Sequence, residues 1–209
     1  MKFTQLFIPL VLLLILLIYF KNRDSEVVTV RSSIDHRQYV VQNKPDKQEA
    51  ADLLAQLRTK LISFVEQFNN KYKDDDRVNR LFLKFKPDKI SEGNTDNSYT
   101  TYTLNKGEKI VFCLRTRDQD DNLHKLNLMT FVALHELSHI MTLSQGHTEE
   151  FEKNFKFILE NAVDLGIYTP ENYRANPVNY CGIKVSDLPL DDKYFRGDRG
   201  DAPPLDPRP

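Results

Sequence analysis

Residues 135–139 read His-Glu-Leu-Ser-His. On a helix that spacing sets two imidazoles one turn apart on one face. Two imidazoles so placed can share a tetrahedral Zn²⁺ at about 2.0–2.1 Å. Glu136 is rotated by about 100° from His135, near the ligand pair but not part of it, which suits a general base acting on water at a metal site. A third ligand is needed. His147 follows His139 by eight residues, directly after Gly146, and glycine permits a tight turn there. Glu160 is the competing ligand, but its helical angle places it opposite the apolar stripe of its own segment. Glu149 and Glu150 also point away. The candidate set is one Zn²⁺ ion with His135, His139 and His147 as ligands, and Glu136 as the catalytic base.

Two helices must position these groups. Leu126, Leu128, Met129, Phe131, Val132, Ala133, Leu134, Leu137, Ile140 and Met141 surround the motif, and neither Pro nor Gly interrupts it. A helix apolar on nearly every side is buried. Two histidines and a glutamate inside it are costly unless hydrogen-bonded or ligated. Thr148 to Gly166 reads as the partner helix, with Phe151, Phe155, Ile158 and Ala162 as its stripe. His147, at its start, projects toward the core.

Further elements support these two. Leu54, Leu57, Leu61, Val65 and Phe68 recur at helical spacing and predict a helix over Lys47–Lys71. A short helix, about Arg77–Phe85, follows the acidic cap Asp74–Asp76. Ser98–Leu104 and Lys109–Arg115, joined by Asn105-Lys106-Gly107-Glu108, read as a β hairpin. His36 and His124 are expected to be solvated, and Tyr180 to be a packed tyrosine. Cys113 and Cys181 are open between paired and free. They are too few for a disulfide-stapled scaffold.

The remaining chain divides by composition. Phe3–Phe20 is 18 uncharged residues, about 27 Å as a helix. It runs into Tyr19, Phe20, Lys21 and Arg23 without a small-residue cleavage site. Residues 1–23 are thus expected to form an N-terminal transmembrane helix anchored in the lipid bilayer through 3–20. Lys21, Arg23, Arg31 and Arg37 place the C-terminal domain of this single-pass membrane protein on the cytoplasmic side, where both cysteines would be reduced. Residues 24–46 read as a polar stalk, 47–186 as the folded domain, and 187–209, with five of the ten prolines, as a flexible tail. With 29 Lys+Arg against 30 Asp+Glu, no nucleic acid is expected as a partner.

At His135-Glu136-Leu137-Ser138-His139, with Gly146-His147 and Phe151 behind it, the chain resembles the WLM and SprT-like zinc metallopeptidases, and among them the WLM-like proteins of large DNA viruses and algae. The resemblance implies an α+β fold: a compact zincin-like domain with a small antiparallel sheet and the His-Glu-x-x-His helix. It also implies zinc on His135, His139 and His147, with Glu136 as the base. The interval from His139 to His147 is longer than usual for WLM proteins. Thr142 stands where a metzincin has Gly, and Phe151 where a Trp is often seen. The resulting expectation is a membrane-anchored zinc metalloprotease acting on a polypeptide substrate, which could add as a strand along Lys109–Arg115. The alternative is a non-catalytic, zinc-stabilised assembly domain.

Overall fold

The apolar stripe of Lys47–Lys71 folds as the spacing predicts, into a 25-residue helix α1. Its inner face, including Leu54, Leu57, Leu61, Phe64 and Phe68, is fully buried. Full burial of each such side chain is worth roughly 1.5–3 kcal/mol. The computed structural model describes residues 8, 10–13, 26–95 and 100–198. Helix α2 is Asp76–Lys84. Asp75 caps it, accepting from the backbone N–H groups of Arg77 and Val78, as expected of the acidic run. Helices α3 (Leu126–Met141) and α4 (Glu149–Asp164) pack on each other, and α3 lies against α1 and α2. The whole is a mixed α+β domain.

The stretch expected to be a stalk is part of this domain. Strands β1 (Val27–Arg31) and β2 (Gln38–Gln42) form an antiparallel hairpin that packs on α1. Tyr39 and Val41 enter the core. The Asp52 carboxylate on α1 accepts from Ser32 Oγ at 2.6 Å and from Ser33 N at 2.7 Å, fixing the hairpin to the helix.

The sheet is mixed rather than purely antiparallel. Its order is β3 (Ile90–Glu92), β5 (Lys109–Phe112), β4 (Tyr102–Leu104). β3 runs parallel to β5, and β4 antiparallel. The expected β4–β5 hairpin is present, but β5 is central, with β3 and β4 at the two ends. Strand addition along the expected Lys109–Arg115 is therefore blocked at Ile110 and Val111, which pair on both sides. Gly107 in the turn has φ +110, and a Cβ there would lie 2.7 Å from the Lys84 carbonyl oxygen, so only glycine lets the turn approach α2. Beyond β5, the buried Arg115 guanidinium joins Glu92 at 2.9 Å and Asp46 at 2.5 Å, linking the sheet to the start of α1. Burial pushes the Glu92 carboxyl up, opposed by the Gln42 N–H and Arg115.

A last hairpin, β6 (Val178–Tyr180) and β7 (Ile183–Val185), is tied to the sheet by a Cys113–Cys181 disulfide. The two cysteines, open between paired and free in the sequence, are therefore paired and not the reduced thiols a cytoplasmic placement would give, and His124 is buried beside Cys181 rather than solvated. His36 is exposed as expected. The first part of the expected tail is folded. Leu188 and Leu190 are core residues, and a 3₁₀ helix spans Asp192–Asp198. The rest of the expected tail, 199–209, lies outside the described residues.

The single-pass membrane placement is not upheld. Among the described residues no helix is long and apolar enough to cross a membrane. α1 has the length but interleaves Glu49, Asp52, Arg58, Lys60 and Glu66 with its apolar residues. α3 is apolar but has only 16 residues, short of the roughly 20 a span requires. Of the expected transmembrane segment, residues other than 8 and 10–13 lie outside the described ones. The cytoplasmic orientation drawn from that segment falls with it.

Candidate metal centre

Helix α3 carries His135, Glu136 and His139, and its unbroken apolar surroundings place them within the domain. His135 and His139 are partly buried, and Glu136 is 5% exposed. His147 arrives from the loop between α3 and α4, one residue before the Thr148 N-cap, with Gly146 before it at φ +77. The structure brings all three imidazoles together. His135 Nε2 lies 3.2 Å from His139 Nε2 and 3.0 Å from His147 Nε2. The potential ligand atoms of the three all fall within 4.8 Å of one another. Two nitrogens on one tetrahedral Zn²⁺ are separated by about 3.3 Å, from Zn–N distances of 2.0–2.1 Å. Three converging imidazole nitrogens at this spacing fit such an ion.

Phe151 on α4 supports the cluster. It stacks on His139 with centroids 4.3 Å apart and touches both His135 and His147 at 4.8 Å. Phe155 closes on His135 at 5.1 Å. Burial, then the neighbouring imidazoles, push the His135 pKa down to about 3. Burial, then His147 and Lys106, push His139 down to about 4. Both rings are therefore neutral at physiological pH, the state in which imidazole binds a metal.

Glu136 points into the same cavity of about 980 Å³ as the three histidines. Burial raises its pKa to about 7, opposed by a hydrogen bond from Thr103 Oγ1 to Glu136 Oε2 of 2.6 Å. A carboxyl poised near neutrality can take up and return a proton. Glu160 lies elsewhere, beside Lys156.

Several residues that the sequence reading passed over shape the site. Lys106 Nζ donates to the carbonyls of Thr142, Leu143 and Ser144 at 2.8, 2.5 and 2.9 Å. It thereby satisfies the C-cap carbonyl of α3 and the next two carbonyls of the loop. Glu150 accepts from Leu143 N at 2.9 Å and Ser144 N at 3.0 Å. Those backbone N–H groups hold its pKa down to about 2. Together they fix the loop that delivers His147. The acidic first turn of α4, Glu149-Glu150, was a signal for such anchoring. Tyr180 is packed as expected. Its hydroxyl donates to the Cys113 carbonyl at 2.9 Å and shares a short hydrogen bond with Thr101, so its proton is committed away from the cavity.

A mixed α+β domain with three convergent histidines beside a buried glutamate is the class of protein this geometry defines. The chain belongs to the family of uncharacterized protein R325 of Acanthamoeba polyphaga mimivirus. It is 35% identical to that protein over 199 residues, covering 86% of this chain and 94% of R325. It is also similar to uncharacterized protein 136R of Invertebrate iridescent virus 6, at 34% over 82 residues, covering 39% of this chain and 44% of that protein. Uncharacterized protein 042R of Invertebrate iridescent virus 3 matches at 37% over 84 residues, 40% of this chain and 50% of that protein. No family model matches the chain. Among solved structures, Wss1 from Saccharomyces cerevisiae aligns with a TM-score of 0.46 and 20% identity, over 60% of this chain and 86% of that one.

Proposed function

We propose that this chain is a zinc-dependent peptidase. The observation that carries the reading is the convergence of three imidazole nitrogens within hydrogen-bond distance in a cavity that also holds the buried Glu136. His135, His139 and His147 would hold the ion. Bound there, Zn²⁺ supplies Lewis acidity toward a peptide carbonyl and toward water. Glu136 takes the proton of the attacking water and returns it to the departing amine nitrogen. The cavity borders β4, which stands at one end of the three-stranded sheet with β5 as its neighbour among the described residues. An extended polypeptide can add there as a further strand.

The test is a comparison of the full chain with Glu136→Gln. The variant should keep one zinc per chain and lose about 100-fold or more of its hydrolysis of an unfolded polypeptide. Undiminished hydrolysis would refute the role of Glu136. A zinc-loaded wild type without hydrolysis, unfolding when His135→Ala is introduced, would establish the ion as structural instead.

A further inference from the structure

The base in this cavity needs an orientation as well as a pKa. A carboxylate turns readily about its last side-chain torsion, whose energy profile is broad and two-fold. Buried Glu136 is held at one oxygen, Oε2, by Thr103 Oγ1 at 2.6 Å. The other oxygen is thereby presented at a fixed angle. Thr103 is well suited to the task. It is β-branched, with a stiff χ1, and it sits on β4 opposite Ile110 of β5.

The Thr101, Tyr180 and Ser144 hydroxyls, which also line the cavity, are engaged elsewhere. Thr101 Oγ1 accepts from Cys113 N at 3.1 Å and bonds Tyr180. Tyr180 donates to the Cys113 carbonyl. Ser144 pairs with Thr148 at 2.6 Å. Thr103 differs from these in facing the carboxylate. Its strand also stands at one end of the three-stranded sheet among the described residues, where the peptidase reading seats an extended substrate.

We propose that Thr103 is a positioning residue for the reaction: its hydroxyl fixes the plane of the Glu136 carboxylate and links the seating of a substrate strand on β4 to the aim of the base. This rests on the peptidase reading. Thr103 acts through Glu136, so its loss slows the chemical step and leaves zinc and substrate affinity in place.

The experiment compares Thr103→Val, Thr103→Ala and Thr103→Ser in the full zinc-loaded chain, with kcat, KM, zinc content and melting temperature read for each. Valine keeps the branch and removes the hydroxyl. Alanine removes both, and serine restores the hydroxyl. The expected result is a kcat lower by about tenfold in the valine and alanine variants, with KM within about twofold and one zinc per chain. Serine should return kcat to within about threefold of the wild type. If one hydroxyl-free variant does not fold, the other carries the comparison. Wild-type kcat in a folded hydroxyl-free variant, an effect on KM alone, or equal loss in the serine variant would overturn the proposal while leaving the peptidase reading intact. An inactive zinc-loaded wild type would remove both.

Discussion

The floor of the cavity and the hairpin that faces it are held by different physics. The floor is α3 backed by α4. Leu134, Leu137, Ile140 and Phe151 there are buried to within 1% of their surface, and Phe151 touches all three histidines. The facing wall is β6–β7, two strands of three residues each. Ile183 on it is 51% exposed. The Cys113–Cys181 disulfide and the Tyr180 hydroxyl tie it to the sheet. His135, Glu136 and His139 sit on the floor, where packing is dense and rotamers are locked, while exposed His147 reaches them from the loop. The groups that would shape a substrate sit on a tether.

The contrast can be broken by experiment. The largest effect is expected on the floor. Phe151→Ala should cost about 4 kcal/mol of stability, in the range for truncating a buried Phe, and should weaken zinc binding because three imidazoles lose their support. Denaturant titration with zinc analysis checks both. Intact zinc affinity would mean that the histidines are held without the floor. Next, a Cys113→Ser, Cys181→Ser double variant should lose about 3 kcal/mol through the denatured chain. It should keep one zinc per chain, with its activity loss mainly in KM. Loss of zinc on that change would show that the two walls are not independent.

The smallest effect is a pH signature of Glu136. Its pKa is about 7 in the metal-free fold and about 4.3 in an unfolded chain. Between those values the native state binds more protons than the unfolded one, so this group makes stability fall as pH rises. Its burial penalty is absent below about pH 4 and complete above about pH 7. Metal-free Glu136→Gln should therefore gain on the wild type across that window, by about 2 kcal/mol at pH 6. Parallel pH curves for the two chains would place Glu136 in a wetter site than the structure gives it.

Much of the floor was legible from residues alone. α1 spans Lys47–Lys71 as its stripe predicts, because a long helix repeats its pattern over many turns. His135 and His139 were readable because two imidazoles interrupt an apolar helix at one-turn spacing. His147 was readable because Gly146 precedes it and an apolar stripe follows.

The wall and the sheet were harder. β1 and β2 carry few inward apolar residues, so Gln38–Gln42 looked like polar linker. β3 is three residues long and buries Ser91 and Glu92, polar side chains that give no strand signal. The central position of β5 depends on that hidden strand. Leu188 and Leu190 flank Pro189 amid aspartates, and only tertiary contacts reveal them as core. The Cys113–Cys181 bond spans a sequence separation of 68, and two cysteines alone do not show whether they meet. The Thr103–Glu136 bond joins residues 33 apart through packing that no local pattern encodes.

The disulfide has a consequence for the covalent topology of the chain. Cys113 and Cys181 close a ring that contains α3, α4, all three histidines and Glu136. A single backbone cut inside the ring opens it without releasing a fragment. A chain nicked in the loop at 142–147 would therefore keep its full mass, and would separate into two pieces only when a reductant opens the second connection. Electrophoresis with and without reductant would then tell an intact molecule from a clipped one that still holds every residue of its site.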